Sequence, residues 1–356
     1  MTGRTYRLGV IGGDGIGPEV TAAALLVLDA AQERFRFRTE RASLPWSGAH
    51  YLATGERFTA AALEGIRRLD AVLLGAVGHP DAPRGMIEAD VIFGLRRGLD
   101  LYVNLRPIVL YHERLCPLKG KRAGDVRFLI VRENTEDVYG QPAETTGTGT
   151  PDEAVSTPMR FTRRGIERVV RYAFERARER PRRHVTLVDK ANAIPAQALW
   201  RTVFDEVGAG FSDVERDAMY VDAACMWMVQ KPERFGVVVT TNLFGDIISD
   251  LGAALCGGLG SGASGNIHPG RVSVFEPIHG SAPKYAGQNV GSPVGAIGAL
   301  ALLLDHLGEH DARGAINAAL LEGFGGGHIR GVDAGSGGTM EVAEGVANAV
   351  RRGAWT

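Results

Sequence analysis

Two hydrophobic periods alternate along this chain. Short runs rich in β-branched and aliphatic residues occur at 8–11, 71–74, 128–131, 185–188, 237–240 and 272–275, and stretches of helical period lie between most of them. That alternation predicts an α/β protein. The first helix is legible in detail. Pro18 suits its first turn and Glu19 the positive end of its dipole, while Val20, Ala23, Ala24, Val27, Leu28 and Ala31 share one face. A second helix is expected over about 162–178, with Ile166, Val169, Val170, Ala173, Phe174 and Ala177 as its apolar stripe. Residues 141–158 are a polar stretch of Thr, Gly and Pro that reads as a loop or protruding arm, and 323–338 form a Gly-rich loop before a last helix.

Composition removes whole classes. In 356 residues, 45% are hydrophobic, and 40 basic residues nearly balance 41 acidic ones. Such a chain is not intrinsically disordered and has no overall charge to draw it to nucleic acid or an acidic membrane. No apolar run approaches the ~20 residues of a membrane helix, and the first residues lack the apolar core of a signal peptide. Cys116, Cys225 and Cys256 form no C-x-x-C pair and no disulfide framework, so a reducing cytoplasm is expected. Residues 160–183 hold ten arginines against three glutamates. Without interleaved aromatics they read as a solvated helix face rather than a nucleic-acid surface. Against this Arg-rich background there are five lysines, at 119, 121, 190, 231 and 284, each a candidate for specific chemistry.

The loop Gly12-Gly13-Asp14-Gly15-Ile16-Gly17-Pro18 lies between a strand and a helix, yet it is not a dinucleotide fingerprint. Pro18 or Val20 stands where that motif needs a third small residue, and Asp14 puts a carboxylate where a pyrophosphate would sit. A tight turn close to a ligand is expected instead. Asp246 and Asp250 are spaced i, i+4 in TTNLFGDIISDL, which puts both carboxylates on one helix face. They are either a hard-cation pair or two aspartates stabilised by the helix dipole. Asp222 lies in the apolar setting YVDAA, where a carboxylate needs a partner. Lys190 ends a buried-looking strand, VTLVDKAN, as a desolvated base or as an ion pair with Asp189. Arg96, Arg106 and Arg132 are fork-shaped cations suited to a substrate with two or more carboxylates, and Tyr139 is a candidate proton donor or a core-edge tyrosine.

Seven blocks occur in one order: GDGIGPEV, LLGAVG, LDLYVNLRP, VRENTED, VDKAN, TTNLFGDIISDL and FEPIHGSAP. Together they resemble, essentially end to end, the β-decarboxylating dehydrogenases, the isocitrate/isopropylmalate dehydrogenase family. NLFGDII, SGNIHPGR and LLLDHLG are most similar to its actinobacterial isopropylmalate branch. The resemblance implies an open α/β sheet that is not a standard Rossmann fold. A large domain would be built from about 1–102 and 256–356. A smaller inserted domain would span about 103–255, with the 141–158 stretch as a dimer arm. It implies that Arg96, Arg106 and Arg132 bind the malate carboxylates, and that Asp246 and Asp250, with Asp222, ligate Mg²⁺ or Mn²⁺. Asp222 and Lys190 would come from the other subunit of a homodimer, itself open to higher assembly. Lys190 would be the base for the C2 hydroxyl, and Tyr139 the acid. Ala76, Asn192, Glu276, His279, Gly280, Ser281, Ala282, Lys284, Tyr285 and Asn289 would contact NAD(P)⁺.

Two positions depart from the simplest pattern. Lys284-Tyr285 stands where NAD-using members carry Asp-Ile, and a lysine there attracts a 2′-phosphate, which leans the expectation to NADP⁺. Gly291 and Ser292, however, stand where the NADP-using isocitrate enzymes have Val and Asn. Val91, Ile92 and Phe93, ahead of Arg96, either line an apolar pocket for an alkyl 3-substituent such as isopropyl or merely pack their helix. Ala89-Asp90, like Lys284, is unlike the isopropylmalate branch, so homoisocitrate, isocitrate, tartrate or a phosphonomethylmalate is the alternative substrate. More distant readings are an inactive regulatory homologue and a nucleic-acid module.

Overall fold

A computed structural model describes residues 4–355. Its strands are β1 (Thr5–Gly13), β2 (Arg38–Ser43), β3 (Ala71–Ala76), β4 (Val103–Val109), β5 (Arg127–Glu133), β6 (Glu144–Thr146), β7 (Ala154–Ser156), β8 (His184–Asp189), β9 (Glu215–Tyr220), β10 (Val237–Thr240), β11 (Ala263–Ile267) and β12 (Ser273–Pro277). The helices are α1 (Gly17–Phe35), α2 (Gly48–Thr54), α3 (Ala60–Ile66), α4 (Gly94–Gly98), α5 (Arg163–Arg178), α6 (Ala198–Gly208), α7 (Val221–Gln230), α8 (Asn242–Ala254), α9 (Val294–His306), α10 (His310–Gly325) and α11 (Thr339–Arg352).

The chain divides into two compact units. The first takes residues up to Leu101, Leu105–Val126 and residues from Gly252 onward; the second takes Tyr102–Asn104 and Arg127–Leu251. Residues 105–126, expected in the smaller inserted domain, lie in the first unit. The physical reason is pairing: β4 hydrogen-bonds to β11, and Arg114 donates to the carbonyls of Phe324 and Ile329.

In the first unit the strand order is β2-β1-β3-β12-β11-β4. β1 pairs parallel with β2 and β3, β3 parallel with β12, and β11 antiparallel with β12. Every residue of β3 is buried, as a parallel strand covered on both faces must be. α1 follows β1 with Pro18 in its first turn, and Val20, Ala23, Ala24, Val27 and Leu28 are fully buried. The last helix, α11, packs along α1, and α9, almost wholly apolar, covers β11 and β12.

In the second unit the order is β5-β10-β8-β9, all parallel. β8 and β10 are buried throughout. α5 begins where Thr162 caps it by accepting from the Gly165 N–H, and its six predicted stripe residues are all fully buried. Its arginines meet acids: Arg163 with Glu206, Arg171 with Glu167, Arg176 with Glu179 and Arg178 with Asp213. The 141–158 stretch holds the antiparallel pair β6–β7, exposed along its whole length.

Candidate active site

The glycine loop after β1 is built around its aspartate. Gly13 and Gly15 have φ of 80° and 59°, which side-chain-bearing residues rarely adopt. The turn aims the buried Asp14 carboxylate at three backbone amides: Gly48 and Ala49 N–H at 2.8 and 2.9 Å, and Gly78 N–H at 2.9 Å. Asp14 N–H donates to Ala76 at 2.6 Å and Ile16 N–H to Ser281 at 2.8 Å. The loop therefore ties together the turns at 76–78 and 281, and its carboxylate is an internal anchor, which is why it fails as a phosphate cradle. The signal was in the sequence as an aspartate among glycines, but its partners lie 34 to 64 residues away.

Arg96 and Glu276 face one another in the same unit. Arg96 is 9% exposed, its guanidinium reaches Glu276 at a long 3.5 Å, and its Nε is buried with no partner. Asn266 donates to Glu276 at 2.8 Å. A buried guanidinium this loosely satisfied suits an added anion. Arg106 is likewise buried, on β4. The segment before Arg96 is a π-helical turn, Glu88–Phe93, running into α4. Of the three residues expected to line a side-chain pocket, Val91 is in the hydrophobic core with Leu74, Leu95 and Leu99, because the turn points it inward. Ile92 packs partly against that core, and Phe93 lies under Arg96, 5.7 Å from its guanidinium carbon.

In the loop after β12, Ala282 has a left-handed φ of 41°, and open space surrounds the position a Cβ would take on Gly280. His279 Nε2 is buried with no hydrogen-bond partner, and burial pulls its imidazole below the usual value. These features fit a nucleotide-holding loop. Lys284 is exposed with its ammonium 4.6 Å from the Tyr285 ring centre. Asn289 donates to Glu341 at 2.8 Å and accepts from the Met340 N–H.

The second unit gathers Arg132, Tyr139 and Asp246. Arg132, on β5 and almost fully buried, pairs with Asp246 on α8 and donates through Nε to Asn242 at 2.9 Å. Tyr139 donates to the other Asp246 oxygen at 2.8 Å. Burial, then the hydrogen bond to Asp246, pushes the Tyr139 hydroxyl up to about 12. Asp246 and Asp250 share α8, as their spacing predicted. Sequence reasoning passed over two supports. Asn242 bridges Arg132 to the Glu136 carbonyl, and Asp137 accepts from the Leu243 N–H to hold the start of α8. Both lie inside the VRENTED and TTNLFGD blocks.

Lys190 follows β8 and donates to Asp222 at 2.7 Å. The ion pair with Asp189 does not form, because Arg201 takes Asp189 from α6. Asp222 is not held in an apolar setting: it sits in the first turn of α7, about two-thirds exposed, and the Lys190 hydrogen bond holds its carboxyl below the usual range. The dry surroundings expected for Lys190 are absent from this single chain, in which the Lys190 side chain is a quarter exposed. Asn192, beyond it, is exposed. Among the described residues no three His, Cys, Asp or Glu side chains converge as a metal site, so Asp222 does not join Asp246 and Asp250 within one chain.

Comparison with known proteins matches residues 7–346 to the model of the isocitrate/isopropylmalate dehydrogenase family. The chain belongs to that family. The 3-isopropylmalate dehydrogenase of Thermobifida fusca is 47% identical over 325 residues, 90% of this chain and 92% of that protein. That of Mycobacterium tuberculosis strain H37Rv is 46% identical over 88% of this chain and 92% of its own. The crystal structure of isocitrate dehydrogenase from Methylococcus capsulatus superposes with a TM-score of 0.84 at 35% identity, covering 97% of this chain and 99% of the other. The apo β-decarboxylating dehydrogenase of Thermococcus kodakarensis gives 0.79 at 34% identity, covering 98% and 96%. As a member, the protein is a nicotinamide-dependent decarboxylating dehydrogenase on an open α/β sheet, and the family implies a divalent metal. The residues fit one: Asp246 and Asp250 offer only hard carboxylate oxygens, a turn apart and solvent-accessible.

Proposed function

We propose that this enzyme oxidises and decarboxylates a (2R,3S)-3-substituted malate, 3-isopropylmalate first, with hydride transfer to NAD(P)⁺. The carrying observation is the convergence of Arg132 and Tyr139 on one carboxylate, Asp246, in a chain whose relatives bear that enzyme's name.

Arg96, Arg106 and Arg132 hold the two malate carboxylates and so fix which face of C2 is presented. Asp246 and Asp250, joined by Asp222 from a second copy, would hold Mg²⁺ or Mn²⁺. When bound, that ion supplies Lewis acidity at the C2 oxygen, and the nicotinamide supplies the hydride acceptor. Lys190, oriented by Asp222, takes the C2 hydroxyl proton as hydride leaves C2, which makes a ketone β to the departing carboxylate. As CO₂ leaves, the bond electrons form an enolate, whose oxygen the Lys190 ammonium offsets. Tyr139 then places a proton on C3 to give the 2-keto acid.

The substituent pocket is apolar through Ile92 and Phe93, which favours an alkyl group over a third carboxylate. Met226 and Val229, three residues apart on α7 and both exposed, present an apolar helix face that supports a homodimer, since neighbouring exposed apolar side chains favour a covering partner. Lys284 supports NADP⁺ over NAD⁺. A small-molecule oxidation in a chain with three free cysteines fits the cytoplasm.

The test is nicotinamide reduction across 3-isopropylmalate, isocitrate, homoisocitrate, tartrate, malate and a phosphonomethyl analogue, each with both cofactors. The reading expects 3-isopropylmalate to give the highest kcat/KM. Faster turnover of a tricarboxylate or of the phosphonate overturns the substrate assignment.

A further inference from the structure

The π-helical turn ahead of Arg96 is gripped from outside by two consecutive residues. Arg57, in the linker between α2 and α3, donates through Nε and Nη2 to both Asp90 oxygens, each at 2.6 Å. The Asp90 side chain is 15% exposed, so Arg57 neutralises a carboxylate largely removed from water. Phe58 lies against Gly94, with a ring carbon 3.1 Å from where a Cβ would sit, and is itself held edge-on by Trp46. From inside, Val91 is locked in the core. The two ends of the turn are thereby set. Glu88 places its carboxylate 2.9 Å from the Cβ position of Gly78, the turn tied to Asp14, and Phe93 lies under Arg96. A π-helical turn is rarely retained without a positional reason, and this one carries its clamp on its third residue, Asp90.

We propose that Arg57 is a positioning residue that acts through Asp90. The pair holds the Glu88–Phe93 turn so that Phe93 keeps a fixed place beside Arg96, and thereby sets which 3-substituent is accepted. This rests on the substituted-malate reading above. It predicts a loss of discrimination rather than of chemistry, because neither residue is assigned contact with the reacting atoms.

The experiment compares wild type, Arg57→Ala, Asp90→Asn and the exchanged pair Arg57→Asp with Asp90→Arg. Each is assayed on 3-isopropylmalate, 3-methylmalate and malate, with backbone hydrogen exchange measured alongside. Either single change is expected to raise KM for 3-isopropylmalate about 5-fold with kcat within about two-fold, and to narrow the isopropyl-to-methyl kcat/KM ratio by a similar factor. Exchange should quicken in residues 86–98, and the exchanged pair should recover most of the ratio. An unchanged ratio and unchanged exchange in both single variants overturn the proposal. So does an equal loss of kcat on all three acids that the exchanged pair fails to repair, which would mark the pair as structural support. If wild type turns over none of the three, the malate reading fails instead. Faster exchange confined to 86–98 would still support the clamp in that case, and unchanged exchange would overturn it.

Discussion

Lys190 touches Asp222 at 2.7 Å while its sequence neighbour Asp189 is held by Arg201, so two adjacent charged residues serve different partners. Replacement of Lys190 by Met should lower kcat at least ~10²-fold, the scale of a lost general base, with the melting temperature little changed. Near-normal kcat would remove Lys190 from that role. At position 284 the charge itself is testable: Lys284→Asp should shift the NADP⁺/NAD⁺ preference towards NAD⁺, and an unaltered ratio would separate Lys284 from the 2′-phosphate. His184 makes a pH prediction. Burial pulls its imidazole below 6.5, against the Asp217 carboxylate, which pulls it up. The folded state therefore prefers neutral His184. As pH falls below 6.5 the unfolded chain takes the proton first and stability drops, until the lower folded value is passed. Wild type should lose more melting temperature between about pH 7 and 5.5 than His184→Gln does. Parallel slopes would contradict this.

Among elements, α11 and the tail after it close the first unit. Trp355 donates to the Ala319 carbonyl at 2.6 Å and stacks on His328 at 4.7 Å. Its ring fills the space that glycines at 323 and 345 leave open. Trp355→Ala should cost about 2 kcal/mol, less than a fully buried tryptophan, and lower the melting temperature by about 3 °C. Gly345→Val should do similar damage, because its Cβ would fall 2.7 Å from a Trp355 ring carbon. A melting curve unmoved by either change would show the tail to be decorative. The periodicity of α5 and α1 was readable because burial of a helix stripe is a local pattern. The π-helical turn was not, since nothing in EADVIF announces a wider turn; its cause is the placement of Val91 in the core and Asp90 on Arg57.

At the scale of the whole molecule, one chain does not assemble the proposed metal site: the three aspartates do not converge among the described residues. The proposed dimer would resolve this, and α7 carries both Asp222 and the exposed Met226 and Val229. Met226→Glu with Val229→Glu should turn a dimer into a monomer by light scattering and abolish turnover together. A variant that stays dimeric would move the interface elsewhere. Excess EDTA should stop turnover of wild type, with recovery on adding Mg²⁺ or Mn²⁺; full activity without metal would overturn the proposed ligand role of Asp246 and Asp250.

Strands β1, β3, β5, β8, β10 and β12, helices α1 and α5, the i, i+4 aspartates of α8 and the family blocks followed from residue order alone, because hydrophobic period and motif spacing are properties of neighbours in the chain; the other six strands did not. The counter-charge of each buried group did not. Asp14 finds amides at 48, 49 and 78, Arg96 finds Glu276, and Asp90 finds Arg57. A carboxylate or guanidinium taken from water must be satisfied by whatever the packed chain brings within about 3 Å, and that choice exists only once distant segments are folded together.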